Sequence, residues 1–226
     1  MRIAEIFLSI QGEGEFAGTP SVFVRTTGCN LRCWFCDTPY TSWEPEGPPR
    51  EWRDVLQEVL HYECAHVVLT GGEPMLQPEI VPLSKALRSE GCFVTIETAG
   101  TVDRPVEADL MSISPKLSNS MPREASRWRE RHERDRSRPA VVQRLVDDYV
   151  YQLKFVIDVP DDLKEVVQYL GEWPQVTGER VWLMPQGVTT AELAARTNWL
   201  IPAASRLGYL VCPRRHIELF GHARGT

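Results

Sequence analysis

His66-Val-Val-Leu-Thr-Gly-Gly-Glu-Pro74 is an apolar, β-branched run that stops on two glycines, an acid and a proline. A short run bounded in this way reads as a buried strand. Glycines at its end let the backbone approach a ligand closely. Similar runs recur at 21–25, 93–97, 110–114, 151–157 and 181–184. Between them, 51–63 places Trp52, Val55, Leu56, Val59 and Leu60 at helical spacing. Leu163, Val166, Val167 and Leu170 repeat that pattern, as do Leu193, Ala194, Thr197 and Ile201. Strands alternating with amphipathic helices predict a parallel sheet of βα units. Six units fall short of the eight in a closed barrel of ~250 residues. The expected fold is therefore α/β: an incomplete, TIM-like βα barrel in one domain over 1–226, with function at the C-terminal strand ends.

Composition narrows the classes of function. A hydrophobic fraction of 42% is enough for a real core, and a net charge of −6 argues against a nucleic-acid partner or an anionic membrane surface. No run approaches the ~18 apolar residues of a membrane span. The first residues, Met-Arg-Ile-Ala-Glu-Ile-Phe, carry an acid early and lack the apolar stretch of a signal peptide. A cytoplasmic location is expected, where thiols stay reduced. Clustered cysteines then point to metal rather than disulfides, while Cys64, Cys92 and Cys212 read as buried free thiols. Residues 123–138 hold seven arginines, four acids and a histidine, with Trp128 the only large apolar side chain. They read as a solvated helix within a charged insertion at about 119–148, or as a partner-binding arm.

Cys29-Asn-Leu-Arg-Cys33-Trp-Phe-Cys36 puts three cysteines in eight residues behind Gly28. Structural zinc takes four protein ligands, and an electron-transfer iron–sulfur cluster takes four thiolates. Three thiolates on one loop suit a 4Fe–4S cube with one iron open to another ligand. A zinc knuckle needs a distant fourth ligand, for which His66 and Cys64 are the candidates.

The C-x3-C-x2-C spacing, followed one βα unit later by Gly71-Gly72-Glu73-Pro74, resembles the radical S-adenosylmethionine (SAM) superfamily. Further motifs resemble one family within it, the 7-carboxy-7-deazaguanine synthases. They are Ser9-Ile-Gln-Gly-Glu-Gly14, Val22-Phe-Val-Arg25, Cys36-Asp-Thr38, Glu97-Thr-Ala-Gly-Thr101, Ser112-Ile-Ser-Pro-Lys116 and Tyr151-Gln-Leu-Lys-Phe155. The resemblance implies a lyase that contracts the ring of 6-carboxy-5,6,7,8-tetrahydropterin to 7-carboxy-7-deazaguanine with loss of ammonia. Its cofactors would be a 4Fe–4S cluster, SAM and Mg²⁺. An external donor of flavodoxin or ferredoxin type and a homodimer are also implied. Cys29, Cys33 and Cys36 would hold the cluster, and Thr38 the Mg²⁺. Gly72, Glu73, Gly100, Ser114, Lys116 and Gln186 would bind SAM. Ile10, Gln11, Gly12, Glu13, Arg25, Thr98 and His216 would bind the pterin.

The residues fit these roles chemically. A Gln meets an amide-and-amine edge with one acceptor and one donor, and Arg pairs a carboxylate through two bonds. Bland readings stand beside them at this stage: a phosphate-cradling turn for Gly12–Gly14, a surface ion pair for Arg25, a turn residue for Thr38, a frayed tail for 214–217. Rival functions are a glycyl-radical-enzyme activating enzyme and a non-catalytic metal-binding interaction module.

Overall fold

Inward and outward positions on the strands are both covered. Val22, Val24, Val67, Val68, Leu69, Val94 and Ile96 have no exposed surface. That is the pattern of a parallel sheet screened by helices. The computed structural model describes residues 1–123 and 127–226; residues 124–126 of the charged insertion lie outside the described residues. One eight-stranded sheet runs in sequence order. Its strands are β1 (Ile3–Ile10), β2 (Pro20–Thr26), β3 (His66–Gly71), β4 (Phe93–Thr98), β5 (Leu110–Ile113), β6 (Tyr151–Ile157), β7 (Val181–Pro185) and β8 (Leu210–Val211). β1 pairs antiparallel with β2, and every later pair is parallel.

The six expected strands are β2–β7. The two edges were not foreseen. β1 carries Glu5 and Ser9 among its apolar residues, and β8 is only two residues long. β1 and β8 are not paired to each other, so the barrel stays incomplete. Loops close the gap: the Arg215 amide donates to the Gly12 carbonyl at 3.0 Å, and the Gly14 amide to Cys212 Sγ at 3.2 Å.

The helices are α1 (Pro39–Ser42), α2 (Trp52–His61), α3 (Ile80–Ser89), α4 (Arg127–Arg136), α5 (Pro139–Asp148), α6 (Asp162–Gly171), α7 (Thr190–Leu207) and α8 (Arg215–Phe220). α2 buries Val55, Leu56 and Val59; α6 buries Val166 and Leu170. The stretch expected as a charged insertion, about 119–148, holds two helices of different character, α4 and α5. α5 buries Val142, Leu145 and Val146, and so is the ordinary crossover helix from β5 to β6. Only α4, whose buried residues are His132 and Asp135, has the expected polar character. No helix among the described residues is long and apolar enough to cross a membrane.

α7 starts on a capping box, with Thr189 accepting from the Glu192 amide and Glu192 accepting from the Thr189 amide. Thr189→Ala should lower stability by about 1 kcal/mol in denaturant unfolding, without changing the dependence on denaturant concentration.

Candidate active site

The C-terminal strand ends open into one cavity of about 450 Å³, within the range of ligand pockets. Its cysteine wall follows β2. Gly28, at φ +101°, turns the chain, donates to the Thr41 carbonyl at 2.8 Å and accepts from the Glu73 amide at 2.9 Å. The loop is thereby stitched to α1 and to the end of β3. Gly72 is needed for this approach, since a Cβ there would lie 2.3 Å from the Gly28 oxygen and 2.7 Å from that of Thr41.

Cys29, Cys33 and Cys36 all border the cavity. Burial pushes the Cys29 thiol up to about 12 and raises Cys33 and Cys36 as well. Buried thiols of this kind become thiolates by exchanging protons for a metal centre. Among the described residues no three His, Cys, Asp or Glu side chains converge on a single-ion site. Three thiols spread along one wall fit a cluster better than one ion. The distant zinc ligands are ruled out by place: His66 bonds Ser21 Oγ at 2.8 Å and Thr95 Oγ1 at 2.9 Å, and Cys64 bonds the Pro20 carbonyl. These contacts lie at the N-terminal strand ends, away from the loop.

Ile10, Gln11, Gly12, Glu13 and Arg25 line the opposite part of the cavity. Gln11 is buried; its amide nitrogen donates to Glu97 at 3.4 Å and its oxygen accepts from the Glu13 amide at 3.1 Å. Arg25 uses Nε on Glu5 at 2.7 Å, and Glu5 also accepts from the Tyr40 hydroxyl at 2.7 Å. Among the described residues the two Nη groups of Arg25 have no hydrogen-bond acceptor, so a forked pair of donors remains for a carboxylate. His216 packs on Gly12, where a Cβ would fall 1.9 Å from His216 Nδ1. Burial lowers its pKa against the raising effect of Glu13, favouring the neutral ring. The tail reading for 214–217 is corrected, since Arg214 and Ile217 are buried.

Four charged side chains went unassigned in the sequence, and they organise the site. Lys154 Nζ lies between Glu13 at 2.9 Å and Glu97 at 3.1 Å, with its side chain only 4% exposed. Arg214 continues the row, binding Glu13 at 3.2 Å and Asp37. Charge alternates from Glu97 through Lys154, Glu13 and Arg214 to Asp37. Burial works against the charged form of Glu13, but Lys154 and Arg214 outweigh it and hold the carboxyl well below its ordinary range. Burial likewise disfavours charged Lys154, and Glu97 and Glu13 more than offset this. The signal was available: Glu97 and Lys154 are the sole charged residues of β4 and β6, at registers facing the barrel interior.

On the remaining wall, Gly72, Thr98, Ser114, Lys116 and Gln186 border the cavity. Lys116 Nζ donates to Ser114 Oγ at 2.7 Å and to its carbonyl at 2.6 Å. Two of the residues expected on the SAM side, Glu73 and Gly100, are not among those that border the cavity. The Glu73 carboxylate is fully buried and accepts from the amides of Met75 and Ala99 and from Thr98 Oγ1, so it braces the wall from behind. Gly100 is outside the lining; its missing Cβ makes room for Val142 and Ile113. Thr98 borders the cavity with its hydroxyl proton already committed to Glu73. Thr38 borders it beside Cys36, their side-chain oxygen and sulfur 3.9 Å apart.

A cavity with three thiols at the mouth of a partial βα barrel defines a radical SAM protein. Residues 23–115 match the model of the Radical SAM superfamily. The chain is 47% identical over 227 residues to 7-carboxy-7-deazaguanine synthase from Rhodopirellula baltica, covering 99% of this chain and 88% of the relative. It is 46% identical to the synthase of the same name from Halobacterium salinarum, with coverage of 99% and 92%. The crystal structure of QueE from Escherichia coli superposes with a TM-score of 0.70 at 21% identity, covering 93% of this chain and 92% of that one. The chain belongs to the 7-carboxy-7-deazaguanine synthase family. Membership brings a 4Fe–4S cluster and SAM as cofactors.

Two predictions test the charge row. Lys154→Met removes the cation from between the half-buried Glu13 and Glu97, with Arg214 still on Glu13, and should cost about 2–3 kcal/mol, read from the shift in denaturant midpoint. Glu13 titrates lower in the folded than in the unfolded chain, so its contribution is full above the ordinary value near 4.5 and is lost as pH falls below it. Stability measured from pH 6 downward should therefore decline below about 4.5, and decline less steeply in Glu13→Gln.

Proposed function

We propose that this chain converts 6-carboxy-5,6,7,8-tetrahydropterin to 7-carboxy-7-deazaguanine with release of ammonia, acting over residues 1–226 as one domain. The observation that carries the reading is a single cavity with three cysteine thiols on one wall and the Gln11, Glu13 and Arg25 set on another. Cys29, Cys33 and Cys36 hold the 4Fe–4S cluster. With SAM bound beside it, the site would supply hydrogen-atom abstraction at C6 of the pterin. Gly72, Ser114, Lys116 and Gln186 line the SAM side.

The Nη groups of Arg25 take the substrate carboxylate, while Glu5 fixes the guanidinium through Nε. Gln11 and Glu13 meet the guanine-like edge. Glu13 stays ionised beside Lys154 and Arg214, which suits it to accept N–H groups rather than donate. Neutral His216 closes the cavity over Gly12. Mg²⁺ at Thr38 is part of the proposal; one protein hydroxyl suffices when water and substrate oxygens complete the octahedron. An external one-electron donor of flavodoxin or ferredoxin type, a homodimer and a cytoplasmic location complete the reading.

The test is anaerobic. Cluster-loaded protein given SAM, dithionite, Mg²⁺ and carboxytetrahydropterin should release 7-carboxy-7-deazaguanine, and Cys33→Ala should release none. SAM cleavage only when a glycyl-radical enzyme is present would overturn the reading. Arg25→Gln should raise KM for the pterin by roughly tenfold to a hundredfold, the weight of a hydrogen bond to a charged group. It should lower kcat less.

A further inference from the structure

The arginine-rich helix α4 is fastened to the cysteine loop. The Arg32 amide donates to His132 Nδ1 at 3.0 Å, and the other ring nitrogen lies 2.9 Å from Ser120 Oγ. Arg32 stacks over Trp128 at 4.0 Å. Just before the helix, Arg123 stacks over Trp34 at 3.5 Å, and Trp34 Nε1 donates to the Asn119 carbonyl at 2.7 Å. Arg136 reaches the Lys116 carbonyl at 3.0 Å. These contacts set the arm over the residues between the cluster cysteines.

Its outer side is basic. Residues 123–138 hold seven arginines against four acids, a surplus of three. The whole chain carries −6, so the other 210 residues carry −9. Arg127, Arg131, Arg134 and Arg138 are exposed. Internal pairing spends few of the acids on many arginines: Asp135 alone meets Arg131, Arg134 and Arg138. A polar helix of this kind contributes little apolar burial of its own. What it does contribute is a local positive field, on an acidic protein, beside the loop that carries the cluster ligands.

We propose that the exposed face of α4 docks the electron donor, a small protein with an acidic surface around a one-electron redox group. This rests on the function proposed above only in requiring a cluster that must be reduced. One electron leaves the reduced donor, which is oxidised, and enters the cluster, which is reduced; no bond is made or broken. The charge pattern favours this partner over nucleic acid, because a long polyanion would also meet the −9 of the remaining surface. Opposite charge accelerates encounter by roughly 10- to 1,000-fold and loses effect as salt shortens the Debye length.

The experiment compares cluster-loaded wild type with Arg127→Gln/Arg131→Gln/Arg134→Gln/Arg138→Gln, glutamine being a good helix former. Cluster reduction is followed by electron paramagnetic resonance, with reduced flavodoxin or with dithionite, at low and high salt. Flavodoxin should reduce the variant about tenfold more slowly at low salt. High salt should slow wild type towards the variant, and dithionite should reduce both alike. The salt series on wild type stands even if the variant folds poorly. Equal flavodoxin rates in the two proteins, or a wild type that flavodoxin neither binds nor reduces, would overturn the proposal. So would tight binding of a tRNA probe by wild type alone with flavodoxin rates unchanged. Dithionite-driven product formation reads the enzymatic function separately, so failure of one leaves the other legible.

Discussion

Lys154 between Glu13 and Glu97 is the constraint on which the site depends. A buried ammonium is tolerable only when paired and hydrogen-bonded. Here the two partners come from different parts of the chain, Glu13 from the loop after β1 and Glu97 from β4. Arg214 adds the segment after β8, and Asp37 the end of the cysteine loop. The row therefore ties both edges of an open sheet to its centre at the level of the cavity. It does what hydrogen bonding between β1 and β8 would do in a closed barrel, and does it with groups that face the cavity.

The cysteine wall solves a different problem. Three thiols sit on one short loop at the edge of the cavity, and the fold holds that loop rigid. Rigidity comes from backbone contacts with Thr41 and Glu73 and from the stack of Arg32 on Trp128. Glu73 supports this from inside, its carboxylate accepting from Met75 and from the wall residues Thr98 and Ala99. The acid in Gly-Gly-Glu-Pro thus shapes the backbone, and Gly71 and Gly72 present it to the cavity.

Much of the architecture was legible because apolar, β-branched runs alternate with helical spacing from β2 to β7. β1 was hidden because Glu5 and Ser9 interrupt its apolar run just before the polar Gln11–Gly14 loop. α5 was hidden by neighbouring arginines, although Val142, Leu145 and Val146 carry a helical core face. Cysteines and glycines could be placed from local spacing. The charge row could not, because Glu13, Lys154 and Arg214 meet only after the sheet curls, across 141 and 201 positions of chain. Glu73 and Gly100 show the converse: their motifs are local, but that both positions lie behind the cavity lining depends on packing against Thr98, Val142 and Ile113.

Because the three loop cysteines and the Gln11, Glu13 and Arg25 set share one cavity, the decisive quantity is where the C6 hydrogen of the proposed substrate goes. The direct measurement is turnover of carboxytetrahydropterin deuterated at C6, with mass spectrometry of product and recovered SAM. Deuterium appearing in SAM alongside 7-carboxy-7-deazaguanine is the predicted result. Product formed with no deuterium in either SAM or 5′-deoxyadenosine would contradict a radical acting on C6 in this cavity.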